Sequence, residues 1–209
     1  MMKTILAYGD SLTYGADPVI QGGRHAYEDR WPTRLEVGLG GKARVIAEGL
    51  GGRTTVFDDF ATTADRNGAR VLPTLIHSHA PLDAVVIMLG TNDMKSFICG
   101  NAFGAARGMR RLAEIVRAEL GNVPVLLVSP PHCTEPDGPA LDPRFSQTIA
   151  ESRLLAGHYS RVAAEIGCHF FDAATVSKAS TADGVHLDPA NTRAIGDALA
   201  PIVKDMLGL

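Results

Sequence analysis

Residues 83–93 read DAVVIMLGTND, and the fold turns on how that stretch is taken. From Ala84 to Leu89 every side chain is apolar, and Val85, Val86 and Ile87 are β-branched. A strand with one solvated face alternates apolar with polar. An unbroken apolar run of strand length is instead buried on both faces, as in a parallel sheet covered by helices. The run stops at Gly90 and gives way to Thr91, Asn92 and Asp93.

Working outward, strand-length runs recur as TILAYG (4–9), ARVIAEG (43–49), VPVLLVS (123–129) and CHFFDA (168–173). Helix-length segments separate them: WPTRLEVGL around 31–39, a stretch within 65–79, and one through roughly 146–166. Phe103, Ala106, Met109, Leu112, Val116 and Leu120 recur at helical spacing. A last helix follows Asp188–Pro189, with Ile195, Ala198, Leu199, Ile202, Val203 and Met206 on one face. Asp at the N-cap with Pro at the first helical position is a strong start signal, because proline's missing N–H is one the helix leaves unpaired anyway. Strand and helix alternating five times predict an α/β fold, a parallel sheet covered on both sides. No repeat, low-complexity tract or linker interrupts the 209 residues, so a single domain over 1–209 is expected.

Composition narrows the function classes. Hydrophobic residues make up 45% and charged residues 21%, as in ordinary globular chains. A net charge of −3 argues against a nucleic-acid partner or a polybasic membrane contact. The basic cluster RGMRR (107–111) reads as a solvated helix face. Cys99, Cys133 and Cys168 are odd in number and far apart, with no CxxC or Cys/His metal spacing, so neither a disulfide framework nor a structural zinc is expected. MMKTILAYGD has too few apolar residues for a signal peptide, and no apolar run approaches the ~20 residues that span a bilayer. A reducing cytoplasm is the expected location.

In an open parallel sheet, functional groups gather beyond the carboxyl ends of the strands. Ser11 follows the first strand, GLGGRTT (49–55) the second, GTND (90–93) the third, and DGVHLDP (183–189) lies after the fifth. A serine hydroxyl is a poor nucleophile until a base takes its proton. His186 is the candidate base, since imidazole titrates near neutrality. Asp183 stands three residues earlier, with Gly184 between them to permit a tight bend, and can accept a bond from the imidazole Nδ1–H. An oxyanion needs fixed donors, and three are available: the Ser11 N–H, the Gly52 N–H and the Asn92 side-chain amide. No GxSxG elbow occurs, which disfavours an ordinary α/β-hydrolase.

These blocks, GDSL, the GG of EGLGGRTT, GTND and DGVH, resemble in type and order the SGNH (GDSL) hydrolase family, and they span residues 9–189. The resemblance implies a flavodoxin-like three-layer α/β/α sandwich with a five-stranded parallel sheet. It implies Ser11 as nucleophile, Asp183 and His186 completing the triad, and Ser11, Gly52 and Asn92 as the oxyanion hole, with no metal and no cofactor. EGLGGRTT and IMLGTNDMK also resemble a bacterial arylesterase/acyltransferase subgroup, some able to perform perhydrolysis. That likeness implies short-chain acyl esters, such as aryl or alkyl acetates, as substrates and, by analogy, a homo-oligomer as large as an octamer. One departure stands out: Gly51 occupies a position where many members have serine.

Simpler readings stand beside these. Ser11 could cap a turn. Asn92 and Asp93 could form a turn after a buried strand, or Asp93 could support the site from behind; Asp10 could hold the nucleophile loop through backbone N–H groups. His77 and His79 read as surface histidines, and Trp31 as core or pocket wall. The long 130–145 loop suggests a pocket rim or subunit contact, and Phe57, Phe97, Ile98 and Phe145 are candidates for an apolar wall. Two other functions compete: a flavodoxin-like module cradling a flavin phosphate on GDSLTYG, and a phosphatase using Asp10.

Overall fold

The Ala84–Met88 run is the middle strand of the sheet, and all five of its residues are buried. The structure, a computed structural model, describes residues 2–138 and 147–209. Among these, five strands are formed: β1 (Lys3–Gly9), β2 (Ala43–Gly49), β3 (Ala84–Met88), β4 (Val125–Ser129) and β5 (His169–Asp172). They lie in the order β2-β1-β3-β4-β5 with every neighbouring pair parallel. Six helices accompany them: α1 (Ser11–Tyr14), α2 (Trp31–Gly38), α3 (Gly68–His79), α4 (Ala102–Leu120), α5 (Thr148–Ile166) and α6 (Pro189–Leu207).

Side chains alternate across each strand, so the sheet feeds two cores. Ile5 and Ala7 of β1 and Val86 of β3 pack with Trp31 and Leu35 of α2 and with Ile195 and Leu199 of α6. Leu6, Tyr8, Val85 and Ile87 face the other way, against Leu72 of α3, Met109 and Leu112 of α4, and Leu155 and Tyr159 of α5. Each fully buried leucine or isoleucine contributes about 2 kcal/mol, enough for each helical layer to be held by its apolar stripe. The five-stranded α/β/α sandwich expected from the sequence is therefore the fold observed.

Several details differ from the sequence reading. Leu89 and Gly90 are buried but fall outside β3. The four-residue α1, directly after Asp10, is not signalled by any periodicity. Phe103 lies on the solvent side of α4, 60% exposed, with its ring edge-on to His158 of α5. Asp188 does occupy the N-cap of α6, with Pro189 behind it, but its carboxylate makes no capping bond; its backbone carbonyl accepts from Asn191 and Thr192 instead. Trp31 is core rather than pocket wall, fully buried with its Nε1–H donating to Thr13 Oγ1 at 3.2 Å. His77 and His79 pair with Glu119 and Glu48 at 3.0 and 2.7 Å.

The chain leaves β1 for β2 on one side and later returns to β3 on the other. That reversal opens a crevice at the carboxyl ends of β1 and β3, where parallel sheets bind ligands.

Candidate active site

Gly9 ends β1 and Asp10 caps α1, its Oδ1 accepting the Leu12 N–H at 2.9 Å. The cap turns the chain sharply and leaves Ser11 as the first residue of α1, where the helix has no internal acceptor for its N–H. The Ser11 hydroxyl thus stands at the crevice, 3.0 Å from His186 Nε2.

His186 comes from the loop between β5 and α6. Gly184, at φ +78°, takes the left-handed conformation that lets this loop fold back. The Gly184 N–H donates to the Ser180 carbonyl, the Ser180 N–H to the His186 carbonyl at 2.7 Å, and the Thr134 N–H to the Gly184 carbonyl. The last of these comes from the 130–138 part of the long loop, which lies along the histidine loop; residues 139–145, Phe145 among them, lie outside the described residues. Asp183 Oδ2 meets His186 Nδ1 at 2.5 Å, while its Oδ1 accepts the N–H groups of Val185 and His186 at 2.9 and 2.8 Å. Partial burial pushes the Asp183 carboxyl up, but the His186 ring and these N–H groups outweigh it and hold it below the usual carboxylate range. An ionised carboxylate there can accept the Nδ1–H of the imidazole and turn Nε2 toward the Ser11 hydroxyl.

The remaining predicted residues lie on the other side of Ser11. Gly52 sits at φ +82° in a turn closed by the Arg53 N–H on the Leu50 carbonyl at 3.0 Å, so the second glycine of the pair is the one whose conformation excludes other residues. The adjacent Gly51 is not strained, and a Cβ placed there would meet nothing within 4 Å. Asn92 follows β3 in a short 3₁₀ turn, its Nδ2 donating to Asp10 Oδ2 at 3.3 Å and to the Arg53 carbonyl at 3.2 Å. The two bonds fix the orientation of the amide. Asp93 is fully buried and is more than a turn residue. Its carboxylate accepts the Thr55 N–H at 3.1 Å and the Thr55 hydroxyl, and its carbonyl accepts from Cys99 and Gly100. It clasps the glycine loop to the asparagine turn.

Burial sets the electrostatics of this clasp. It pushes the Asp10 carboxyl up to about 6 against the pull of the Leu12 N–H and nearby cations. It pushes Asp93 up to about 7, opposed by the Thr55 bonds and reinforced by the charge of Asp10.

Sequence reasoning missed three contributors. Arg53 is buried, donates to the carbonyls of Gly9 and Glu48, and lays its guanidinium over the Tyr8 ring at 4.2 Å. Its place directly after the glycine pair was the only available signal. His25, with Nε2 2.7 Å from the Leu187 carbonyl, anchors the residue after His186, and nothing in its flanking sequence marks it. The third is the segment 16–24, closed by a bridge between Ala16 and Arg24. It forms much of one wall of a cavity of about 600 Å³ that also holds Ser11, Asp183, His186, Leu50 and Arg66. The proposed wall residues Phe57, Phe97 and Ile98 do not line it: Phe57 borders a separate hollow beside α4, and Phe97 projects outward.

The competing functions fit this geometry poorly. The Ser11 hydroxyl is engaged with an imidazole rather than open to a phosphate. Asp10 points inward to Leu12 and Asn92, with no approach for a phosphoryl group. Among the described residues, no group of three or more His, Cys, Asp or Glu stands close enough to hold a metal.

The profile of the GDSL-like lipase/acylhydrolase family matches residues 7–194. The chain is similar over its whole length to a carbohydrate acetylesterase family member from Sinorhizobium meliloti, at 51% identity, TM-score 0.95 and full coverage of both chains. A second carbohydrate acetylesterase from that organism is 34% identical at TM-score 0.89, covering 98% of this chain and 99% of its own. The aryl esterase of M. smegmatis is 39% identical at TM-score 0.91, covering 98% of this chain and 100% of its own. No curated protein sequence matches.

Proposed function

Since this chain belongs to the GDSL-like lipase/acylhydrolase family and is a carboxylic-ester hydrolase, we propose that it cleaves short-chain acyl esters through an acyl-enzyme on Ser11. The observation that carries this is the unbroken relay from Ser11 Oγ to His186 Nε2 at 3.0 Å and from His186 Nδ1 to Asp183 at 2.5 Å.

In the first half-reaction Ser11 Oγ attacks the ester carbonyl carbon while His186 Nε2 takes the hydroxyl proton. The carbonyl oxygen becomes an oxyanion that accepts from the Ser11 N–H, the Gly52 N–H and the Asn92 amide. Asp183 stabilises the imidazolium that forms. His186 then hands its proton to the departing alkoxide as the C–O bond breaks, leaving the acyl group on Ser11. In the second half, His186 takes a proton from water, the hydroxide attacks the acyl carbon, and the carboxylic acid leaves as the proton returns to Ser11. An alcohol or peroxide that occupies the water's place receives the acyl group instead, which gives acyl transfer or perhydrolysis as a side activity.

Acetates of aryl alcohols and of carbohydrates are the substrates that the similar proteins suggest, within an acetyl-to-butyryl range. The enzyme acts as one catalytic domain over residues 1–209 and as a homo-oligomer. It works in the cytoplasm, a reading supported by three free cysteines and by the absence, among the described residues, of a helix able to cross a membrane. Ser11→Ala assayed on p-nitrophenyl acetate tests the mechanism. The expected loss is about 10⁶-fold in kcat, and activity within tenfold of the parent overturns it.

A further inference from the structure

The wall segment 16–24 carries one carboxylate, Asp17, into the same cavity as Ser11 and His186. Its two oxygens have different fates. Oδ1 accepts the N–H groups of Val19 and Ile20 at 2.8 and 3.0 Å, which fixes the side chain in a tight local turn. Oδ2 is 3.9 Å from His25 Nδ1, beyond hydrogen-bond distance. His25 cannot close that gap as a neutral donor. Its Nε2 faces the Leu187 carbonyl at 2.7 Å, an acceptor, so a neutral His25 has no second N–H for Asp17. The side chain is 22% exposed and lines the cavity, and among the described residues no hydrogen-bond donor engages Oδ2.

The position of Asp17 says which part of the substrate it meets. The backbone bonds to Ile20 and Val19, with the His25 ring beside it, hold its carboxyl below the usual range. His25, 3.9 Å from Asp17 Oδ2, reaches the Leu187 carbonyl directly after His186, so Asp17 belongs to the His186 side of the cavity. Arg66 lines the opposite side, next to Gly52, where a Cβ would stand 3.4 Å from the Arg66 Nε. An ester bound for attack on Ser11 turns its carbonyl oxygen toward Gly52 and its leaving oxygen toward His186, which must protonate it. The alcohol part then lies along segment 16–24.

We propose that Asp17 determines leaving-group specificity: its free oxygen accepts a hydrogen bond from a hydroxyl on the alcohol part, so the preferred substrates are acyl esters of polyhydroxylated alcohols. The proposal rests on the triad reading, because that reading orients the ester.

The test compares kcat/KM for glycerol 1-acetate and propyl acetate, in the parent enzyme and in two variants. Asp17→Asn keeps an oxygen for Val19 and Ile20 but turns the open position into an N–H₂ donor. Asp17→Ser keeps a turn-forming hydroxyl and removes the open oxygen. The intrinsic reactivity of the two esters cancels when the ratio is compared between proteins. The parent ratio is expected to exceed that of either variant by about tenfold or more, the range of a hydrogen bond to a charged group. A ratio unchanged within twofold in both variants overturns the proposal and leaves the triad standing, whereas Ser11→Ala turning over both esters overturns the triad and Asp17's role with it. A second pair, acetylcholine and its neutral isostere 3,3-dimethylbutyl acetate, separates hydroxyl recognition from charge attraction. Equal Asp17-dependent preference for acetylcholine overturns the hydroxyl reading.

Discussion

The two halves of the site, on either side of Ser11, are built differently. On the oxyanion side, Asp10, Arg53, Thr55, Asn92 and Asp93 are all buried, and hydrogen bonds tie together three segments of chain, 9–10, 53–55 and 92–93. On the proton-transfer side, His186 and Asp183 are 26% and 31% exposed and are held by one short loop. The contrast fits the roles proposed for the two halves. Oxyanion donors gain their effect by being fixed before charge develops, so that nothing reorganises during the reaction. A general base must exchange its proton, release an alcohol and admit water, which requires an open face. The same fold thus places a rigid half and an accessible half within one hydroxyl's reach.

Breaking the open half should cost more than breaking the rigid one. Asp183→Asn keeps the shape of the loop but lets the imidazole take the wrong tautomer; kcat on p-nitrophenyl acetate is expected to fall about 10⁴-fold, and a loss below tenfold would show that His186 is oriented by other groups. On the rigid side, Asn92→Ala removes one of three donors. A kcat loss of about 100- to 1,000-fold is expected, with KM little changed because the donor acts on the transition state. A rise in KM alone would place Asn92 in ground-state binding.

The burial of the rigid half should also appear as a pH signature in stability. Asp93 is raised from 3.8 to about 7 and Asp10 to about 6. Groups raised in the folded state favour folding in full below the unfolded value, and that contribution is lost as pH rises through the folded values. Asp183, held low, works in the opposite sense and loses its contribution as pH falls. Asp93→Asn removes the largest of these titrations, so its Tm relative to the parent is expected to improve by at least about 3 °C between pH 4.5 and pH 8. Parallel melting curves across that range would show that the clasp does not feel its burial. The smallest effect is expected for Gly51→Ser. Its Cβ enters open space and its backbone is unstrained, so stability should stay within about 0.5 kcal/mol. A gain in kcat would instead mean that the serine stiffens the oxyanion turn.

The legible part of the protein was the part encoded locally. The apolar runs of β1, β3 and β4 and the stripes of α4 and α6 announce two buried faces, because burial on both sides leaves no polar residue in a strand. GDSL, the glycine pair and GTND were visible as well, each at or just past the end of a strand, and DGVH lies in the loop between β5 and α6, in a sheet whose parallel order sends every carboxyl end to one edge. Phe103 was misplaced because periodicity gives a face but not where the partner helix stops. The wall residues were misjudged because apolar character says nothing about which loop folds over the crevice.

The sequence by itself determined the α/β alternation and pointed to the proposed nucleophile and base and their order along the chain, since these depend on residue type and on spacing within short segments. Only the tertiary structure decided that Arg53 would bind the end of β1, that Asp93 would clasp the glycine turn, and that segment 16–24 would bring Asp17 into the cavity that holds His186. Those contacts join residues tens to well over a hundred positions apart, and their geometry comes into being only when the two helical layers close on the sheet.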